Sequence, residues 1–446
     1  MGLQVSKDEV NQKLESKDFG KKLLRVAFGS TGFRFANILL SFVISAFLTR
    51  TLGLEGYGIY AYSISWVLLL NVVSSLGCRG LIVREIAANR TRQQWGLIQG
   101  LLRWSNGLIL LTSVSIAIVF ALITTRMQGV QDVQTLQALR IALCLVPLMA
   151  LTILRQSSMQ GFGYILKGQL PENILQPLLF IALLVPSYFL LSQGDFSAAN
   201  IMLLKVASTF IAFIIGALLL YYIVPKAVKH AEPEYKVGEW LPSMMSMLFI
   251  VGTGVIYTRS DTVMLGLLSG PSAVGLYAVS LRGANFILIS QQVAANILGP
   301  HVASLHACNN RARLQELTTK STRLVMAYAV PVSLAFIFLG PIFLSVFGED
   351  FQAGYSVLVI LCVSKLIGVA VGPVGLLLTM THNERDNAVI VAIGAIVNAA
   401  LNYLLIPQYG AEGAAVATGF SSIAVNIFLA AIVYKRLRIN STILSF

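Results

Sequence analysis

Apolar runs of about twenty residues recur along the whole chain, near 25–49, 57–78, 97–124, 136–158, 171–191, 198–224, 241–268, 273–298, 322–347, 354–380, 387–407 and 412–434. Each is long enough to cross roughly 30 Å of hydrocarbon as a helix. Lipid offers the backbone no hydrogen-bond partners, so a spanning segment must satisfy its own amides, and a helix does this within the segment. The pattern predicts an all-α polytopic membrane protein with twelve transmembrane helices. Composition agrees, since only 11% of the 446 residues are charged, against about 25% in a soluble domain.

The loops set the orientation. Those on one side carry basic clusters, among them Lys21, Lys22 and Arg25, Arg79 to Arg92, Arg311 to Arg323, and Lys435 to Arg438. Those on the other side carry only Arg50 and Arg126. Basic loops stay cytoplasmic, so both termini are expected inside. The net charge of +13 is a product of this asymmetry, and no nucleic-acid partner is expected. The polar stretch from Ser6 to Lys22 predicts that no cleaved signal peptide precedes the first span. Chance explains the myristoylation-like start at Met1 and Gly2. The acceptor patterns at Asn89 and Asn440 fall on the cytoplasmic side, where they would go unused.

The chain repeats itself. Gly58-Ile59-Tyr60-Ala61-Tyr62-Ser63 opens the second span, and Gly275-Leu276-Tyr277-Ala278-Val279-Ser280 opens the eighth. The offset that carries Gly58 onto Gly275 also places the seventh span on the first and the ninth to twelfth on the third to sixth. Six is even, so the two copies enter the membrane from the same side and form parallel lobes. The expected division is residues 1–224, a cytoplasmic linker at 225–239, and residues 240–446. The linker is polar and carries Pro233. It is expected to act either as a hinge or as a plain solvated connector.

Six basic side chains fall inside the apolar segments: Arg34, Arg140, Lys205, Arg259, Arg282 and Lys365. The clear acid among them is Asp261. A charge at mid-membrane costs about 3 kcal/mol or more, so it faces water or a partner. One carboxylate cannot neutralise six cations, which points to an anionic ligand. On the first span, Ser30, Arg34, Asn37, Ser41 and Ser45 share one helical stripe, and on the eighth Arg282, Asn285, Gln292 and Asn296 share another. Interhelical hydrogen bonds would account for the serines alone, but not for the arginines. Counting about 1.5 Å per residue from the turn at Gly270-Pro271 puts Asp261 and Arg282 at similar depth, where an ion pair is expected. Arg259 lies roughly 200° around the helix from Asp261 and should point elsewhere. Arg140 is expected to snorkel to the outer interface, and Lys205 to do so or to face inward.

Asp261 is expected to be either the fixed partner of Arg282 or a site that couples transport to H+ or Na+. The membrane potential is a third source of drive. The four cysteines and four histidines lack metal-ligand spacing, and no nucleophile–base pair or phosphate-cradling glycine loop is present. No enzyme, metal or cofactor is expected. The segment from Arg311 to Arg323 would lie on the membrane surface against anionic lipid, or serve as a connector.

Three stretches carry a family resemblance. Thr49-Arg50-Thr51-Leu52-Gly53-Leu54-Glu55-Gly56-Tyr57-Gly58 resembles the first external loop of bacterial polysaccharide-unit flippases of the Wzx type, where proline often replaces Leu54. Arg259-Ser260-Asp261-Thr262-Val263-Met264-Leu265-Gly266, followed by Ala273 to Tyr277, resembles their seventh-to-eighth-span signature. Asn398 to Asn402 with Ile406 to Thr418 is similar to their eleventh-to-twelfth-span segment. The resemblance implies the multidrug/oligosaccharidyl-lipid/polysaccharide exporter superfamily, whose two six-helix lobes form a V around a central cavity. It also implies movement of undecaprenyl-diphosphate-linked oligosaccharides to the outer leaflet of the bacterial cytoplasmic membrane, for O-antigen, capsule or exopolysaccharide synthesis. A polysaccharide polymerase and chain-length machinery are the implied partners. Lipid II flippases of the superfamily carry extra C-terminal helices, which the twelve spans here do not include.

The resemblance and the charges converge on one expectation. Arg34, Arg259, Arg282 and Lys365, with Lys205, would contact the diphosphate, because arginine binds phosphate oxygens bidentately. Asn37, Asn285, Gln292 and Asn296 would meet sugar hydroxyls. The prenyl tail would stay in lipid through an opening between the lobes. The alternatives are a multidrug exporter of the same superfamily, whose cavity should be acidic or aromatic, and a non-transporting scaffold, which has no use for deep arginines.

Overall fold

The computed structural model describes the backbone of residues 7–126, 132–190 and 196–443, with side chains from Gly29 onward except Ser246 and Ile250. The basic N-terminal cluster and the first residues of the first span lie outside the described side chains. Among the described residues, ten helical segments are long and apolar enough to cross a membrane. They are α1 (Gly29–Ser75), α2 (Trp95–Arg126), α3 (Val133–Gly161), α4 (Ile165–Leu190), α5 (Ala198–Ile223), α6 (Val237–Leu268), α7 (Pro271–Ala307), α8 (Arg311–Phe338), α9 (Glu349–Val371) and α10 (Glu384–Leu437). The chain is an all-helical, multi-pass membrane protein.

Two segments are over-long. α1 has 47 residues and α10 has 54, or roughly 70 and 80 Å of helix, more than twice the hydrocarbon thickness. Each is interrupted inside by one non-helical glycine, Gly53 (φ 68°, ψ −171°) in α1 and Gly410 (φ 53°, ψ −128°) in α10. Both fall where the sequence predicts a loop between two spans. A positive φ suits glycine, which has no Cβ to clash.

Two turns at the expected repeat spacing have like geometry. Gly270, the counterpart of Gly53 in the second copy, adopts nearly the same conformation (φ 84°, ψ 177°) at the turn from α6 to α7. The two turns touch each other there. A Cβ at Gly58 would lie 1.8 Å from the Pro271 carbonyl oxygen, and one at Gly275 would lie 2.5 Å from that of Leu54. Leu54 corresponds to Pro271 under the same offset that relates Gly58 to Gly275, so the contact is symmetric under the repeat. Arg50 Nε adds a bond to the Val346 carbonyl at 2.8 Å. We refer to this end as outer, following the loop charges.

At the opposite end α6 ties the halves together differently. In its first turns Trp240 is buried against N-terminal residues, packing on Trp104 at 5.5 Å, and Arg84 Nη2 donates to Ser243 Oγ at 3.1 Å. The 225–239 segment docks on α2. The Glu234 amide donates to the Gly96 carbonyl at 3.0 Å, and the Glu234 carbonyl sits where a Gly100 Cβ would be. In the N-terminal half, Arg155 is 3% exposed and pairs with Glu172, beside a single π-helical turn at Pro171–Leu175. Gly216 makes room for that guanidinium, since a Cβ there would lie 2.4 Å from its carbon.

Candidate functional site

Between the two halves, inside the outer seam, lies a cavity of about 390 Å³. Helical spacing builds its walls. On α1, Ser41 and Ser45 are four apart, and Tyr57, Tyr60 and Ile64 follow at three and four. Arg259 and Thr262 on α6, and Arg282 and Asn285 on α7, are each three apart. Lys205 enters from α5. Three cations therefore face one space, and its lining contains no carboxylate among the described residues.

Neutral groups hold Arg282 in place. Its Nε donates to the Tyr57 hydroxyl at 3.1 Å and its Nη1 to the Ser41 carbonyl at 3.2 Å. Both acceptors come from α1, so this residue also bridges the two halves. Lys205 Nζ sits 5.0 Å from the Phe180 ring centroid, a contact that favours a cation without neutralising it. Lys205 and Arg259 each lie within electrostatic range of Arg282. Like charges brought together away from water repel, and an anion between them relieves the repulsion.

The structure thus brings Lys205, Arg259, Arg282 and Asn285 together. Arg34, Gln292 and Asn296 are exposed, further toward the inner end, and do not line the cavity. Asn37 is half-buried and donates to the Asn173 carbonyl at 3.2 Å, which ties α1 to α4. Lys365 is half-buried on α9, does not line the cavity, and lies within electrostatic range of Asp261. Arg140 does not snorkel freely. It is half-buried, with Nε 3.4 Å from Thr124 Oγ1 and a buried, unpartnered Nη2.

The expected Asp261–Arg282 ion pair is absent among the described residues. Asp261 is 3% exposed and accepts from Asn402 Nδ2 (2.7 Å), Thr418 Oγ1 (2.7 Å) and the Tyr277 hydroxyl (3.0 Å). Counting residues from the turn gave the depth of the two groups but not their direction. Arg259 shares the cavity face of α6 with Thr262, and Asp261 points back into the contact of α6 with α10. There Asn398 bridges Asn402, Ser421 and Ser260. Sequence reasoning missed Tyr57, Tyr60 and Thr262 as lining, and Asn402 and Thr418 as partners of Asp261. The four-residue spacing of Asn398 and Asn402 was a usable signal for the second group; nothing local marked the first.

Residues 23–306 match the family described as "Polysaccharide biosynthesis protein". Residues 237–445 match that described as "Lipid II flippase MurJ". Among curated proteins, a probable low-salt glycan biosynthesis flippase of Haloferax volcanii, Agl15, is 23% identical over 394 residues, covering 87% of this chain and 79% of the relative. Among solved structures, a multidrug resistance transporter of the MOP superfamily in an inward-facing conformation superposes with a TM-score of 0.71 at 12% identity, covering 93% of this chain and 94% of that one. The lipid II flippase MurJ superposes with 0.65 at 13% identity, covering 92% and 87%. These likenesses establish the fold of the MOP superfamily.

Proposed function

The chain belongs to the polysaccharide biosynthesis protein family, and on that premise we propose that it is a flippase for lipid-linked oligosaccharide units of the Wzx kind. Its substrate is an undecaprenyl-diphosphate-linked glycan, carried from the inner to the outer leaflet of a bacterial cytoplasmic membrane by alternating access. In this reading α1 and α10 each cross twice, which gives twelve crossings in two lobes that spread in a V toward the inner end, with both termini inside. One observation carries the proposal: Lys205, Arg259 and Arg282 converge on a cavity whose lining holds no carboxylate among the described residues. A diphosphate satisfies such a site, because Arg282 and Arg259 present planar donor forks to its oxygens. Asn285 lies beside them for a sugar hydroxyl. Arg34, Gln292 and Asn296 meet the head group on its way in from the inner end. Export of organic cations, the other activity this fold would allow, is opposed by the sign of the lining.

Asp261 serves coupling in this scheme. Its oxygens accept from one amide nitrogen and two hydroxyls, and the Asn402 Oδ1 is buried without a partner. A buried carboxylate with no hydrogen-bonded cation suits a proton or a hard monovalent ion. Lys365 is its nearby opposite charge.

The test is a vesicle assay. Purified protein is reconstituted with a fluorescent undecaprenyl-diphosphate disaccharide, and its movement to the other leaflet is followed by a membrane-impermeant quencher. Wild type is expected to accelerate the movement, and Arg282→Glu or Arg259→Glu to abolish it while remaining folded. Equal rates with and without the protein, or unchanged rates in both variants, would overturn the proposal.

A further inference from the structure

Outside the lining of the cavity, α4 carries one irregular turn that touches both sides of the cationic site. The Gln176 amide donates to the Pro171 carbonyl, five residues back, which closes the π-turn Pro171–Leu175. Pro177 accounts for the irregularity. It has no N–H, and its ring crowds the carbonyl four residues before it, that of Asn173. That carbonyl is met instead from α1, by Asn37 Nδ2 at 3.2 Å. One helical turn further along α1, Ser41 lines the cavity and its carbonyl holds Arg282 Nη1 at 3.2 Å. The other side of the turn faces α5. Gln176 Nε2 donates to Ser208 Oγ at 3.3 Å, and Ser208 Oγ donates to the Lys205 carbonyl at 2.9 Å. Four residues beyond Gln176, the buried Phe180 ring carries the Lys205 ammonium at 5.0 Å from its centroid. At its inner edge the turn is anchored by Glu172, paired with the buried Arg155.

We propose that this π-turn is a brace that fixes the separation of Lys205 and Arg282, and so makes the cavity selective for a diphosphate over a monophosphate; the inference rests on the flippase reading. Both cations line one cavity, and like charges repel. No carboxylate of the lining, among the described residues, draws them together. Their separation is therefore set by the neutral groups that hold them, and a hold on each leads back to one turn of α4. For Arg282 it runs through Ser41 and Asn37. For Lys205 it runs through Ser208, Gln176 and Phe180. A diphosphate presents two phosphoryl groups, one for each cation. A monophosphate has only one, and gains less from two cations set in advance. Asn37, Gln176 and Phe180 are positioning residues in this scheme, and Pro177 leaves the Asn173 carbonyl to Asn37.

The experiment titrates the full chain in nanodiscs with decaprenyl diphosphate and with decaprenyl monophosphate, neither of which carries a sugar. Bound lipid is read by native mass spectrometry. Wild type is expected to hold the diphosphate about tenfold more tightly than the monophosphate. Pro177→Ala returns an amide to the Asn173 carbonyl, and Asn37→Leu removes the donor from α1. Each should lower diphosphate affinity about fivefold and leave monophosphate affinity nearly unchanged. Gln176→Met should do the same from the α5 side. A merely structural loss would lower both affinities together and leave their ratio alone. An unchanged ratio in all three variants, or no preference in wild type, with binding that still requires Arg282, would overturn the brace and leave the flippase reading standing. Diphosphate binding indifferent to Arg282→Glu would overturn that reading, and the brace with it.

Discussion

Alanine at Gly58 should unseal the outer end. Its Cβ would lie 1.8 Å from the Pro271 carbonyl oxygen, 2.6 Å from the Pro271 carbonyl carbon and 3.1 Å from the Gly275 nitrogen. These are backbone atoms at the start of α7, so no side chain can swing away. The seam must widen until the closest contact rises from 1.8 Å to at least 3.0 Å. Overpacking of this kind costs about 1–3 kcal/mol. The penalty falls only on the state in which the halves touch here, so it shifts the equilibrium toward an outer-open state by about 5- to 150-fold. Arg282–Tyr57 and Arg50–Val346 would weaken with it, since both cross the same seam. The assay places a single cysteine at Ala61, a cavity-lining position, after replacing Cys78, Cys144, Cys308 and Cys362. An impermeant thiol reagent is then added from outside. Gly58→Ala should raise the labelling rate at least fivefold and slow transport. Gly107→Ala, where a Cβ meets nothing within 4 Å, should change neither. Wild-type labelling together with wild-type transport in Gly58→Ala would refute the idea that this seam is a gate.

Three further outcomes follow from the same geometry. Arg282→Lys keeps the charge but loses the fork, and should weaken binding of decaprenyl diphosphate about tenfold in a nanodisc titration; Tyr57→Phe, which removes one neutral acceptor worth about 1 kcal/mol, should weaken it less. Asp261→Asn should leave the protein folded, because the amide oxygen still accepts from Tyr277 and Thr418. Transport should then lose its response to an imposed Na+ or H+ gradient; a retained response would exclude coupling through this residue. Arg155→Met strands Glu172 beside the π-turn and should cost about 3 kcal/mol, read as a lowered melting temperature in detergent. Arg155→Met with Glu172→Leu should recover most of that loss, and an equally unstable double variant would mean the pair itself is not the cause.

Periodicity and charge were legible because each is a property of one segment. The Ser41–Ser45 and Arg282–Asn285 spacings do place those residues on faces that line the cavity. Arg259 was expected to point away from Asp261, and it does, into the chamber. Asp261 illustrates the limit. Its depth could be counted from Gly270, but its partners come from α10, far along the chain, and no local rule selects Asn402 and Thr418 over Arg282. Asn37 shows the same limit from the other side. It sits on the polar stripe of α1, yet its amide is used to bind α4, so a stripe marks a helix face that avoids lipid without saying what that face meets.

The sequence alone determined that this chain lies in a membrane and that it is helical. Those conclusions follow from length and hydrophobicity, which act on each segment independently. Tertiary structure decided which cations share a space, which acid stands apart from them, and where the turns at Leu54 and Pro271 meet. The reason is that helices packed side by side fix azimuth as well as depth. The closeness of that packing at Gly58 and Gly275 depends on backbone from the opposite half, which neither glycine's own neighbourhood encodes.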